Sequence, residues 1–475
     1  MSSSLETPLS PRGRTVVLLT CCLSVVVAGL DTTIANVALP SIQKALHAPV
    51  SGLQWVVDAY TLVIACLLMF SGSVADRFGR RRVFQVGLGL FSFGSLLCGL
   101  APSLGALVTF RALQAVGGAM LNPVAMSIIA TTFADPKERV RAVGTWGAVA
   151  GLGGACGPVV GGLLVSGLGW RSIFWVNVPI GALAIYLTRR FVPESRAARG
   201  RRFDPLGQLL VVTFLGPVTA AVIEGPRHGW SSPFIVALFV LAAVSVLGLV
   251  VVERRRSEPL VDLRFFRGPA FSGAAVIAVF ALMTVGGFLF LNTLYLQDVR
   301  GYSALHAGLL TIPMAAAGAA CATISGRIVA ARGPRLAFVL AGLLLVAGTG
   351  LLAGAGRETG VWYLVLAYLL FGAGFGLVGT PMTNTALSGM PRDQAGVAGA
   401  IASTCRQTGG AMGVAVCGSI VAGGSAGFVS ASHAAWTVLA GCGAATVLFG
   451  LISTGRWVRA HAERSGRQLS TVADS

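Results

Sequence analysis

Charge is what this chain has least of. Only 11% of its 475 residues are Asp, Glu, Lys or Arg, against about 25% in an ordinary soluble domain. Lysine is nearly missing: Lys44 and Lys137 stand beside 33 arginines. The nine cysteines (21, 22, 66, 98, 156, 321, 405, 417 and 442) all fall in apolar runs, and none forms a C-x-x-C pair. They read as small buried hydrophobes, with no metal site and no redox centre expected. The five histidines are scattered, and neither a metalloprotease helix nor a Walker phosphate loop is present; ATP hydrolysis by this chain is therefore not expected, and no cofactor is. No catalytic constellation and no soluble domain stand out, so the chain does not read as an enzyme. The first apolar run follows Arg12 and Arg14 as a signal peptide would, but it continues to about Val37, carries Asp31 and lacks an A-x-A cleavage site. It reads as a first spanning helix.

What remains is apolar: 55% of the residues are hydrophobic and the mean hydropathy is +0.80. Unbroken apolar runs of about 20 residues predict transmembrane helices, not the weak alternation of a barrel. Fourteen spans are expected, near 15–37, 53–75, 83–101, 104–131, 139–164, 172–190, 205–224, 233–252, 270–296, 305–329, 335–355, 361–388, 395–422 and 434–455. With both termini in the cytoplasm, 28 of the 35 basic residues fall on the cytoplasmic side and five outside, leaving Arg111 and Arg406 inside spans. That asymmetry supports the orientation and accounts for the +18 net charge with no nucleic-acid partner.

The stretch Gly72-Ser-Val-Ala-Asp76-Arg77-Phe-Gly79-Arg80-Arg81-Arg82 is a short basic turn between two spans. Gly72 and Gly79 permit close backbone approach or positive φ, and Asp76 has arginines within reach. It recurs in degenerate form at Gly326 to Arg335, where Ala330 and Ala331 replace the Asp-Arg pair. The repeat predicts six-helix bundles at 15–190 and 270–455, with an extra pair at 205–252, linkers at 191–204 and 253–269, and cytoplasmic tails at 1–14 and 456–475.

Ionisable groups inside spans are expensive and point to function. Asp31 lies late in span 1, Asp58 early in span 2 and Arg111 early in span 4, all in the outer half, so one polar cluster is geometrically feasible. A carboxyl poised between desolvation and a nearby cation changes protonation when its surroundings change, which is what proton coupling requires; a static salt bridge is the alternative, and for Asp58 a place facing the outer mouth fits equally well. Asn36, Tyr60, Gln114 and Arg406 join Asp31 as candidate cavity residues. Arg406 has no acid near it on span 13 and suits backbone carbonyls or an anionic group. Phe288, Phe290, Phe371, Phe375, Met283 and Met314 are cavity candidates that fit a helical core equally well. Span 5 carries Gly154, Gly157, Pro158, Gly161 and Gly162, small residues that let helices approach closely around a proline.

The basic turn resembles the loop signature of the major facilitator superfamily. Leu30-Asp31-x-Thr33-x-x-Asn36-Val-Ala-Leu-Pro40 is similar to the first-helix motif of its fourteen-span drug/proton antiporters. Arg111-x-x-Gln114 resembles their fourth-helix motif, and Gly157-Pro158-x-x-Gly161-Gly162 their antiporter signature. Trp170-Arg171-x-x-Phe174-Trp175-x-Asn177-x-Pro179 is typical of them as well. The resemblance implies an all-α integral membrane protein of the bacterial plasma membrane, two six-helix bundles plus a central pair, acting as a monomer in the lipid bilayer. It implies export of an amphipathic, cationic drug or antibiotic in exchange for protons, by alternating access. Asp31, Asp58 and Arg111 would couple protons, Gly72, Asp76, Arg77, Gly79, Arg80 and Arg81 would form a cytoplasmic gate, and the span 5 motif a hinge. A dedicated exporter of one metabolite or self-made antibiotic fits as well, and a proton symporter for uptake shares the fold.

Overall fold

The computed structural model describes residues 10–196, 204–256, 259–388, 395–424 and 427–455. Most of the expected tails and parts of both linkers lie outside them. Among the described residues there is no strand. The helices are α1 (Pro11–Leu46), α2 (Val50–Phe78), α3 (Arg80–Leu100), α4 (Leu104–Thr132), α5 (Pro136–Leu168), α6 (Ser172–Trp175), α7 (Asn177–Phe191), α8 (Pro205–His228) and α9 (Pro233–Arg255). They continue as α10 (Pro269–Leu294), extended by a π turn over Tyr295–Val299, then α11 (Ala304–Leu310), α12 (Ile312–Arg332), α13 (Pro334–Ala353), α14 (Val361–Leu387), α15 (Ala395–Gly423) and α16 (Phe428–Ser453).

Local chemistry sets the ends. Asp135 caps α5, its Oδ1 accepting from the backbone N–H groups of Lys137 and Glu138 at 2.9 Å, with Pro136 in the first turn, where its missing N–H costs nothing. Asp204 and Ser232 cap α8 and α9 in the same way. Gly79, between α2 and α3, has φ +103, a conformation that glycine alone adopts without strain. Two expected spans are each broken once, at Val176 between α6 and α7 and at Thr311 between α11 and α12, with Pro179 and Pro313 just beyond the breaks. Helix α1 runs on through Pro40 to Leu46, about nine residues past the expected span. Among the described residues, and counting α6–α7 and α11–α12 as single passes, thirteen segments are long and apolar enough to cross a membrane. The remaining long helix, α15, is less apolar because of Arg406, Gln407 and its glycines.

Helices α1–α7 pack on one another, chiefly α1 on α5, α3 on α4 and α7, and α2 on α4. Helices α10–α16 do the same, with α10 on α15 and α16, α12 on α14, and α13 on α14 and α16. The pair α8–α9 lies outside, with α8 against α2 and α15. The aromatic residues Phe288, Phe371, Tyr368 and Trp436 form a stacked core inside the second group, with Phe288 and Phe371 ring centres 4.1 Å apart. They fill that bundle instead of lining a cavity; Phe375 is exposed.

The two groups meet at the end marked by the His47 turn. There Gln54 Nε2 donates to the carbonyls of Val414 and Ala415, and Gln297 Nε2 donates to Val37 O. Gly162 and Gly308 bring α5 and α11 into backbone contact: a Cβ on Gly162 would stand 2.6 Å from Ala304 O, and one on Gly308 would strike Pro158 O. Helices α2 and α15 stay together further along, with Met69 packed near Ala398 and Ile401. On the other side the groups part. From Val143 to Leu152 on α5, and from Ile312 to Ile324 on α12, no residue is buried. One side of each stretch stays against its own group, Gly318 O beside Gly376 of α14 and Ala150 O beside Gly29 of α1, and the low burial of the remaining sides marks a cleft between α5 and α12 toward the Gly79 end.

Candidate functional site

Asp31, Arg111 and Gln114 come together inside the first group of helices, beside α3, α6 and α7. Arg111 Nη1 donates to Asp31 Oδ2 at 2.5 Å and to Gln114 Oε1 at 2.8 Å. Gln114 Nε2 donates back to Asp31 Oδ1 at 2.8 Å and to Ser95 Oγ at 3.2 Å. Asn177 Nδ2 reaches the same two acceptors, Asp31 Oδ1 at 2.9 Å and Ser95 Oγ at 3.0 Å. Ser95 Oγ donates in turn to Phe174 O at 2.8 Å. Arg111 Nε donates to Val56 O at 3.1 Å, and the guanidinium carbon sits 4.2 Å from the centre of the Tyr60 ring, a cation–π contact strengthened by the dry surroundings. Asp31, Arg111, Gln114, Ser95 and Asn177 are each at most 1% exposed. Every acceptor of the carboxylate is used and the pair is matched in charge, the condition under which an ion pair survives burial.

The local sequence explains this enclosure. Helices α1 and α5 touch backbone to backbone because Gly153, Gly157 and Gly161 repeat at four-residue spacing on one face of α5: a Cβ on Gly157 would strike Thr33 Oγ1, and one on Gly161 would lie 2.7 Å from Ile34 Cγ1. Gly94 on α3 likewise lies against the Gln114 backbone, where a Cβ would stand 2.6 Å from its Cα. Gly154, by contrast, has nothing within 4 Å of a built Cβ; the tight position at this point is Gly29 of α1, whose Cβ would stand 3.3 Å from the backbone N of Gly154. The span 5 motif thus presses on α1 with one face and on α11 with the other.

Three expected site residues lie elsewhere. Asp58 is fully buried on α2, and neither carboxyl oxygen has a hydrogen-bond partner among the described residues. Asn36 donates to Thr32 O at 3.1 Å and lines a small recess between the groups with Thr33, Thr293, Gln297 and Thr311. Arg406 sits partly buried on α15. Of the loop residues, Asp76 pairs with Arg80 at 3.1 Å within its own turn. Glu194 accepts from Arg81 N at 3.2 Å and lies 3.7 Å from Arg82, Arg80 N donates to Ser195 O at 2.9 Å, and Arg77 lies against the Phe78 ring. These contacts tie the turn to the segment after α7, in its own half. Gly72 has nothing within 4 Å of a built Cβ and lies within helix α2, so it serves neither a positive φ nor a close approach.

Ser95 is a part of this site that sequence reasoning missed. Asn177 was visible only as one letter of the Trp170–Pro179 motif, with no role attached.

A knot of this kind, two groups of helices and a basic turn repeated in each group can be weighed against known proteins. The sequence profile described as the Major Facilitator Superfamily matches residues 21–212 and again 205–414. This chain belongs to the major facilitator superfamily. It is 41% identical over 412 residues to the multidrug resistance protein Stp of Mycobacterium tuberculosis, covering 86% of this chain and 76% of that one. It is 34% identical to the tetracenomycin C resistance and export protein of Streptomyces glaucescens, over 88% and 78% of the two chains. A puromycin resistance protein of Streptomyces alboniger is 38% identical, over 87% and 82%. Among solved structures, the nucleoside transporter NupG superposes with a TM-score of 0.64 at 12% identity, covering 93% of this chain and all of that one. A bacterial homologue of the lysosomal transporter Spinster, in an inward-facing state, gives 0.60 at 20% identity, over 97% and 99%. Those two likenesses establish a major facilitator fold; the charged knot belongs to this chain's own residues.

Proposed function

We propose that this major facilitator protein exports amphipathic drugs or antibiotics across a bacterial plasma membrane in exchange for protons. The observation that carries the reading is the Asp31–Arg111–Gln114–Asn177 knot, a compensated charge in the wall of a two-bundle transporter, combined with relatives named for drug resistance and export. Helices α1–α7 and α10–α16 are the rocking bundles, α8–α9 the added pair, and α15 the fourteenth span; the protein works as a monomer. With the arginine-rich Gly79 end in the cytoplasm, the cleft faces inward. The basic turn at Gly79 through Arg82 braces α2 and α3 at the cytoplasmic mouth, and the span 5 glycines carry the motion of α5 between its partners.

The proton cycle needs a carboxyl whose partners differ between the two states. Inward-facing, Asp31 is held as a carboxylate by Arg111. Parting of α1 from the end of α10, and of α5 from α11, at the outer end opens a path to Asp31, which takes a proton and loosens the knot as cargo leaves. Closure returns the arginine and expels the proton inward. Asp58, buried without a partner, is the second candidate carrier. In inverted vesicles, pH-gradient-driven accumulation of a fluorescent drug should be collapsed by a protonophore and abolished by Asp31→Asn, with the variant still folded. Retained gradient-driven transport in Asp31→Asn would remove Asp31 from the proton path.

A further inference from the structure

Arg406 has no counter-charge. Its Nη2 donates to Ser403 Oγ at 2.8 Å, a neutral acceptor, and no ion pair includes it among the described residues. A guanidinium keeps its proton in proteins and offers five N–H donors in a fork shaped for an oxyanion. Among the described residues its own half supplies no acid at this depth: from Pro269 to Ser453 the acids among them are Asp298 and Glu358, both near or beyond helix ends. In the other half, Asp31 is consumed by Arg111 and Asp58 is fully buried. A charge kept at such a depth without a protein partner is costly, and a ligand that supplies the opposite charge explains its presence.

The position fits a ligand contact. Gly399, Ser403, Arg406 and Gly410 follow one another at spacings that share one face of α15. A Cβ on Gly399 would meet nothing within 4 Å, and one on Gly410 only the Thr61 methyl of α2 at 4.0 Å. From Ala402 to Thr408 no residue is buried. This face therefore looks into open space beside the seam between the bundles. The bond to Ser403 draws the side chain toward the start of α15, the direction long side chains take on helices, and here the direction of the Gly79 end.

We infer that Arg406 recognises an anionic group, a carboxylate or a similarly acidic oxyanion, on the exported molecule. The inference rests on the export reading and reverses the cationic cargo expected from the resemblance, since a cation at this face would meet the uncompensated guanidinium, while the unpartnered Asp58 carboxyl is fully buried. A bidentate Arg–oxyanion pair in a low-dielectric wall also favours a planar acid over a neutral ester of the same shape.

The test uses the purified full chain in an uncharged detergent and three pyrene probes: pyrenebutyrate, its methyl ester and pyrenebutylamine, read by tryptophan-to-pyrene energy transfer. Pyrenebutyrate should bind at least tenfold more tightly than the ester, with the amine weakest. Arg406→Gln should erase the preference, and Arg406→Lys, which keeps the charge if the Gln variant misfolds, should retain part of it. Equal binding of acid and ester, a preference for the amine, a preference that survives Arg406→Gln, or no saturable binding of any probe would each overturn the assignment. Displacement of pyrenebutyrate by phosphatidylglycerol, without gradient-driven pyrenebutyrate uptake in vesicles, would overturn it in favour of a lipid headgroup. Gradient-driven uptake of ethidium that ignores Arg406→Gln would overturn it while leaving export standing; no gradient-driven uptake of either ethidium or pyrenebutyrate would remove both.

Discussion

Arg111 is bonded to more of its surroundings than any other charged side chain described here: a carboxylate from α1, an amide from its own helix, a carbonyl from α2 and the face of Tyr60. Removing one partner of a buried ion pair leaves the other uncompensated, which costs about 3–5 kcal/mol. Arg111→Ala should therefore lower the detergent-phase unfolding temperature sharply, and the double variant Arg111→Ala/Asp31→Ala should recover part of the loss; a thermal melt of the three proteins checks both. Arg111→Lys keeps the charge but has no Nε to reach Val56 O, so its loss should be smaller. The charged members of this knot were legible in the sequence because ionisable residues are rare in apolar runs. Ser95 was not, since serine is common in such helices and the depth at which a hydroxyl meets a partner depends on how the helices are tilted and staggered.

At the scale of the helix, α5 shows why spacing matters more than glycine content. Gly157 and Gly161 are in contact with α1, whereas Gly72 on α2 and Gly154 on its own Cβ side face open space. Gly157→Val should separate α1 from α5 and abolish transport, while Gly72→Ala should be neutral or gain up to about 1 kcal/mol from helix propensity; parallel uptake assays and thermal melts distinguish them. Helix positions were legible almost throughout, because hydrophobic length and the Gly and Pro punctuation survive in a single sequence. The breaks at Val176 and Thr311 and the extension of α1 past Pro40 were not. A proline inside a membrane span stops a helix only where packing fails to satisfy the freed carbonyl. The role of Gly72 was misread for a related reason: a glycine in a motif shows that a side chain is absent, without showing what takes the space.

Across the whole molecule the two bundles are held together at one end by contacts that must break if access alternates. Leu305 N donates to Ser166 Oγ at 3.3 Å, beside the Gly162 crossing of α5 and α11. A cysteine pair at Ser166 and Leu305, in a background lacking the native cysteines, should form a disulfide on oxidation and halt transport, and reduction should restore it. Uninterrupted transport by the cross-linked protein would mean that this end does not open. The bundles also divide the chemistry. The first holds the Asp31 knot, while the second has Ala330 and Ala331 where the repeated turn would carry the Asp-Arg pair and holds Arg406 midway along α15.

The distance along the chain between Asp31 and its partners has a consequence for how the protein is made. Arg111 follows Asp31 by 80 residues and Asn177 by 146, so α1 reaches the membrane before either has been synthesised. Placing Asp or Arg at the centre of a lone inserting helix costs about 2.5–3.5 kcal/mol on insertion scales. The apolar residues of α1 must therefore carry its aspartate into the bilayer unaided, and the knot closes only when the α7 segment emerges. A nascent chain arrested before Asn177 should hold its first helices in the membrane but leave them loosely joined and open to membrane proteases.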